Sequence, residues 1–593
     1  MTGNTSHLFF AFYNAGKVTE LGTLIEALNY APAERPFVTF WINEDEQESV
    51  SFGEFRRRAR IQAAMLSARG LRAGDRVIII MPQGIVAMTV FAGAMMLGAA
   101  PAFLAYPNDR VEAAKYRSGL AGVTKNLAAR AVVVDEEFPE ELLGHVALGE
   151  NTQLLRLPGV ATGSEGADYQ ELKPTEAASY PGDSIAFIQH SAGTTGLQKG
   201  VALRHAAVLR QLAHLAQALR IDSASDRIYS WLPLYHDMGL IACFMLPMVC
   251  HVPVVMQSPI EWVMHPETML QVISDHRCTL TWLPNFAFQF VARRPRPERL
   301  KRYDLSSMRA FINCSEPVRA SSMQEFQHTF GDIGLKSAAL HSSYAMAENV
   351  FAVTQSAIEP SPKNESSGPA RVWADGRQFR SAHRIVPTEE ETPGAICFIS
   401  SGRPLPGNDI RIVSDSGGVD DGLSVGEILV RSDCLFDGYY NRPDLTANAI
   451  VDGWYHTGDL GFVLDNELYV AGRKKDLIII GGENIYPQDI EEIAASHPAI
   501  HDGRVVAMGL YNPDLGTEEI VLVAEVENAD HLANALEIER ELRGQVMAAM
   551  GVSLATIFLK PPKWIVKSTA GKPARSATLE KLLREYPELA AEN

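Results

Sequence analysis

Through its first two-thirds the chain alternates short apolar runs with longer stretches of helical periodicity; the runs are RVIIIM (76–81), AAPAFLAY (99–106), RAVVVD (130–135), SIAFIQ (184–189), PVVMQ (253–257) and TLTWLP (279–284). Strands buried on both faces read as unbroken apolar runs, and such strands belong to parallel sheets covered by helices. The pattern therefore predicts an α/β fold. From Gly394 the runs come closer together and turn residues separate them, as in GAICFIS, DIRIVSDSGG, GEILVRS and ELYVAGR, which predicts a more antiparallel, β-rich subdomain. A further break follows Gly472-Arg473-Lys474-Lys475-Asp476. Beyond it DIEEIAAS, RVVAMGL, EIVLVAEV and ALEIERELRGQVMAAM read as a compact α+β unit of about 120 residues. Two domains are expected, 1–473 and 474–593, with 359–392, rich in Pro and polar residues, as a loop-like candidate insertion.

The uncharged stretch from Val77 to Asn108 is long enough to span a bilayer. Pro82-Gln83-Gly84 divides it, so it reads instead as a buried strand-helix-strand unit, and no membrane span is expected. A formal net charge of -18 argues against a nucleic-acid partner, which would need clustered Lys and Arg. The six cysteines are scattered without a CxxC pair, suggesting neither a zinc site nor a disulfide framework, and with no secretory signal at the N-terminus a cytoplasmic location is expected.

After SIAFIQ comes His190-Ser191-Ala192-Gly193-Thr194-Thr195-Gly196-Leu197-Gln198-Lys199-Gly200. Glycines let a backbone curl round an anion, hydroxyls donate to it and a lysine supplies charge, so this loop is suited to phosphate. It lacks the GxxxxGK[ST] spacing of a Walker loop. Taken alone, such a loop is as readily a surface turn. The GxSxG pattern at 422–426 is a coincidence: a nucleophile elbow needs a strand before the serine and a helix after it, whereas a turn-like stretch precedes this one and the strand EILVR follows.

Further motifs follow the loop in order: SWLPLYHDMG (230–239), INCSEPVR (312–319), YAMAE (344–348), GWYHTGDLG (453–461), GRKKDLIIIGGENIYPQDIE (472–491) and VKSTAGKPAR (566–575). Together the series resembles the adenylate-forming superfamily of acyl-CoA synthetases, luciferases and peptide-synthetase adenylation domains. LPLYHDMGL, YPQDIE and the polar excursion after Glu348 resemble its fatty acyl-AMP ligases most.

That resemblance implies a site. Ser191, Gly193, Thr194, Thr195, Gly196 and Lys199 would surround the phosphates of ATP, Tyr344 would stack on adenine, and Glu348 would hold Mg²⁺, a hard cation suited to a carboxylate. Asp459 would bind the ribose hydroxyls with support from Arg473. Lys572, on a mobile C-terminal domain hinged at Lys475, would bridge the substrate carboxylate and the α-phosphate. INCSEPVR supplies Asn313, Ser315 and Glu316 as candidate substrate residues, and His236 is either a residue of the acid pocket or a structural one. The implied reaction joins a carboxylic acid, medium or long-chain by family habit, to AMP, and the implied acceptor is an acyl carrier protein. Transfer to CoA is the second reading, and a non-catalytic acyl- or nucleotide-binding protein the third. The chain departs from the common pattern at His190, Ala192, Gln198, Ala345 and Cys314-Ser315, which leaves the particular acid and the turnover open.

Overall fold

The structure is a computed structural model, and it describes residues 12–14, 17–19, 21–107, 113–144, 146, 148, 152–157, 182–190, 199–295, 297–358, 368–414, 423–480, 483–512, 515–567 and 571–590. Its largest sheet has nine strands, ordered Arg403–Pro404, Ala352–Gln355, Leu340–Ala345, Ala310–Asn313, Leu280–Leu283, Ile228–Ser230, Val254–Gln257, Pro36–Asn43 and Glu46–Ser51. Pairing is parallel from Leu340–Ala345 through to Pro36–Asn43 and antiparallel at both edges. A second sheet, all parallel, orders Ala100–Phe103, Arg76–Ile80, Ala131–Asp135 and Gln153–Leu157.

Burial explains these elements. Val77, Ile78, Ile79 and Ile80 are wholly buried, and so is nearly all of the uncharged helix Ile85–Met96, which leads to the strand Ala100–Phe103. The stretch from Val77 is thus a core strand-helix-strand unit; among the described residues no helix is long and apolar enough to cross a membrane. Five of the six early apolar runs form strands with parallel partners. SIAFIQ is the exception. Ile185–His190 pairs antiparallel with Gly200–Arg204, because the nine residues that separate them in sequence are too few for the crossover connection a parallel pair requires.

The antiparallel region expected after Gly394 is present. Asn408–Val413, Gly426–Ser432, Trp454–Leu464 and Glu467–Arg473 pair in succession, all antiparallel. Ser424 bridges to Arg384 and a strand, not a helix, follows it, so the GxSxG match is no elbow. The loop reading of 359–392 is corrected in part. Residues 359–367 lie outside those described, but Arg371–Asp375 is a strand paired with Ala395–Ile399 and Gly376–Ala382 is a helix. Asp375 caps that helix, accepting from Arg377 N at 2.9 Å and Gln378 N at 3.0 Å, a start signal hidden among the surrounding polar residues.

After Lys475 come a sheet of Ile500–Asn512, Thr517–Val526 and Leu554–Lys560 and the helices Pro487–Ala495, Ala535–Met550 and Arg575–Glu585. Ile490, Leu522, Leu542 and Val546 form one core on this sheet, while Val506, Val523 and Leu582 form a second.

Candidate active site

Parallel strands leave their C-terminal ends facing a common crevice, where ligands of open α/β sheets bind. Ile228–Ser230 leads there to His236 and Asp237, Leu280–Leu283 to Asn285, Ala310–Asn313 to Ser315 and Glu316, and Leu340–Ala345 to Glu348.

His236 Nδ1 lies 2.6 Å from Asp237 Oδ1. Asp237 is buried and begins a π-helical turn, Met238–Met245, whose first N–H it accepts at 2.7 Å. Burial alone would raise its carboxyl, but the His236 imidazole, the Met238 N–H and the Lys572 ammonium together hold it below the usual range. Lys572 reaches across from the C-terminal segment and donates to the carbonyl oxygen of Ser315. Ser315 itself sits in the left-handed region, φ 70°, a conformation unfavourable for an L-residue that tends to occur at functional sites. Its neighbours turn elsewhere: Asn313 Nδ2 donates to Asn285 Oδ1 at 2.9 Å, and Glu316 Oε2 accepts from Phe286 N at 3.0 Å at the start of the helix Asn285–Ala292.

Tyr344 OH donates to Asp459 Oδ2 at 2.6 Å, and Arg473 Nε lies 3.5 Å from Oδ1 of the same carboxylate. Burial raises the Asp459 carboxyl, with Arg473 and the phenol working against it. Burial and the Asp459 charge keep Tyr344 well above its ordinary value, so it remains a donor. Asp459 lies in a β-bulge: between the pairs Leu429–His456 and Glu427–Leu460 the strand Trp454–Leu464 carries extra residues, with Gly458 at φ 71°. Side chains serve the displaced backbone, since Gly458 N donates to Glu427 Oε1 at 3.2 Å and Asp459 N to Thr457 Oγ1 at 3.0 Å.

Glu348 is buried, and Tyr439 OH donates to its Oε1 at 2.8 Å while resting 3.2 Å from Tyr455 OH. Among the described residues no hydrogen bond engages Oε2, which suits the carboxylate to a hard cation. Lys199 Nζ lies 4.6 Å from the centre of the Tyr439 ring, which brings the end of the Gly/Thr loop to Glu348. Lys475 feels the charges of Arg473, Asp459 and Lys199, and burial followed by Arg473 lowers its ammonium. Lys199, Lys475 and Arg473 thus gather positive charge suited to a polyphosphate. Ser191, Gly193, Thr194, Thr195 and Gly196 lie outside the described residues.

Sequence reasoning missed Asp237, Asn285, Tyr439 and Tyr455. The first stood beside His236 in LYHDMG; the aromatics lacked a signal, because their contact with Glu348 joins strands far apart in sequence.

The model of a family described as AMP-binding enzyme matches residues 26–440. The chain belongs to the AMP-binding enzyme family. Its AMP-binding relatives include a 4-hydroxyphenylalkanoate adenylyltransferase of Mycobacterium bovis, 28% identical over 92% of this chain and 88% of the relative. A medium-chain-fatty-acid–[acyl-carrier-protein] ligase, JamA, of Moorena producens is 29% identical over 95% of each chain. A structure from a study of fatty acyl-adenylate ligases of E. coli and L. pneumophila superposes with a TM-score of 0.84 at 28% identity, covering 96% of this chain and 98% of the other. This AMP-binding enzyme therefore shares the mixed α/β architecture of that structure over nearly its whole length.

Proposed function

We propose that the protein is an AMP-forming acid ligase that activates a medium- or long-chain fatty acid with ATP and passes the acyl group to an acyl carrier protein. The observation that carries this reading is Lys572 at Ser315, beside Asp237 at the ends of the parallel strands. An ammonium there can draw a carboxylate and a phosphate together and offset charge as they react. A carboxylate oxygen attacks the α-phosphorus, the bond to pyrophosphate breaks, and a mixed anhydride remains. Tyr344, Asp459 and Arg473 would hold the nucleoside, Lys199 the phosphates, and Glu348 a Mg²⁺ ion. When bound, that ion neutralises phosphate charge. His236, paired with Asp237, would shape the acid pocket. The thiol of the carrier then attacks the acyl carbon and AMP leaves.

The second half-reaction needs the lysine withdrawn. We assign 1–473 and 474–593 to two domains that rotate about Lys475, with 359–392 as the candidate insertion limiting that motion. Polar contacts between the two favour this reading: Arg319 meets Asp489 at 3.3 Å and Glu492 at 2.9 Å, and Ser321 Oγ donates to Glu492 at 2.8 Å. Interfaces of this polar kind resemble transient ones. The names of JamA and of the fatty acyl-adenylate ligase structure support the fatty acid, and that of JamA supports the carrier.

The test is a mass-spectrometric product assay with ATP, Mg²⁺ and a panel of fatty and aromatic acids, run alone, with CoA and with a phosphopantetheinylated carrier protein. Accumulation of acyl-AMP and acylation of the carrier alone support the proposal. Ready formation of acyl-CoA replaces the acceptor, and absence of pyrophosphate release with every acid defeats the ligase reading.

A further inference from the structure

Cys434 and His214 are far apart in the sequence, and no ligand spacing links them. In the fold they meet. His214 is buried on the helix His205–Leu219, and Asp433 and Cys434 follow the strand Gly426–Ser432. Cys434 Sγ lies 3.2 Å from Asp433 Oδ1 and 3.9 Å from His214 Nδ1, and Nδ1 lies 4.0 Å from Oδ1. Tetrahedral zinc, with bonds of about 2.0–2.3 Å, would set such donor atoms roughly 3.3–3.6 Å apart. Changes of about 0.3 to 0.7 Å in these separations therefore divide this triangle from one face of a coordination tetrahedron.

The surroundings are built for the triangle. Cys434 N donates to Ser432 Oγ at 2.9 Å, fixing the turn that presents the sulfur. Arg210 Nε donates to the Asp433 carbonyl at 2.9 Å and lies 3.8 Å from Oδ2, while Oδ1 is the carboxylate oxygen that faces Cys434 Sγ and His214 Nδ1. The third wall is Gly407, φ 74°, where a Cβ would stand 2.5 Å from Asp433 Oδ1 and 2.9 Å from His214 Cε1. Any side chain there would crowd the donors. Asp433 is half exposed, giving an ion a way in and leaving a fourth position for water.

We propose that His214, Asp433 and Cys434 bind a divalent transition metal of the zinc class, at a site distinct from the one assigned to the nucleotide. Nitrogen, oxygen and thiolate donors favour zinc-class ions over Mg²⁺, which prefers oxygen alone. On binding, the Cys434 S–H bond breaks, its proton passes to solvent, and the sulfur electron pair goes to the metal; no electron transfer is involved. The site clips the helix His205–Leu219 to the segment that continues through Phe436, whose N–H donates to the Glu348 carbonyl at 2.8 Å, to Tyr439 on the Glu348 carboxylate. The metal thereby steadies the segment that orients Glu348.

The full chain, stripped with a chelator and kept reduced without ATP or Mg²⁺, is titrated with Co²⁺. One sulfur-to-cobalt charge-transfer band saturating at one equivalent, and abolished by added Zn²⁺, is the expected result. C434A should lose the band; H214N and D433N should weaken Co²⁺ binding at least tenfold. Because Asp433 is half exposed, D433N keeps the fold even if C434A does not, and its metal-free melting should match the wild type. No band in the wild-type chain, a band surviving in folded C434A, or wild-type affinity in both H214N and D433N overturns the site.

Discussion

The Tyr344 phenol donates to the Asp459 carboxylate at 2.6 Å, joining the edge of the parallel sheet to the bulge of the antiparallel one. Tyr344→Phe keeps the ring and removes this bond. Asp459 then loses a partner that opposes its raised carboxyl, so it is neutralised more readily as pH falls. The KM for ATP should rise about tenfold with kcat little changed. The rise should grow as pH falls, because burial already pushes this carboxyl upward. Steady-state kinetics over a series of pH values check this, and a pH-independent KM would separate Tyr344 from Asp459 in function.

Lys572→Ala should slow pyrophosphate release by roughly 100-fold or more while ATP binding stays close to wild type, since the proposed mechanism has the ammonium act where charge develops. Unchanged release would remove Lys572 from the chemistry.

Arg319 touches two carboxylates of the C-terminal segment, Asp489 and Glu492, in the arrangement that brings Lys572 to Ser315. Arg319→Ala should slow adenylation several-fold and leave transfer from preformed acyl-AMP to the carrier nearly unaffected. Equal slowing of both half-reactions, measured by rapid quench, would assign Arg319 a purely structural part.

His341 is buried, and burial lowers its imidazole to about 4. The unfolded chain takes up a proton there below about pH 6.5, whereas the folded chain resists until about pH 4, so the folded state is favoured above that window and loses the advantage as pH falls through it. The loss amounts to about 3 kcal/mol for a shift of this size. His341→Asn should flatten the dependence of stability on pH between about 6.5 and 4, as read from urea unfolding at several pH values. An unaltered slope would mean that other groups control it.

Much of the fold was legible because burial on both faces leaves runs such as RVIIIM that only a covered strand explains. SIAFIQ misled, since an apolar run records burial and not the direction of its neighbour. The strand Arg371–Asp375 and the helix capped by Asp375 were hidden because Pro and polar side chains around them outweigh a short element in any reading by composition. In the site, the ordered motifs placed Tyr344, Asp459, Glu348 and Lys572 in sequence, but the geometry added what spacing cannot carry: Lys572 brought to the Asp237 carboxylate, and Tyr439 turned onto Glu348.

The bulge that carries Asp459 makes this stretch of chain intolerant of tidying. Deleting the extra residues around Gly458 would restore an even ladder between Gly426–Ser432 and Trp454–Leu464 and favour a straighter, firmer strand, yet it would also turn Asp459 away from Tyr344 and Arg473. Selection for thermal robustness and selection for the contacts of Asp459 therefore pull this strand in opposite directions, and the irregular version is the one the protein keeps.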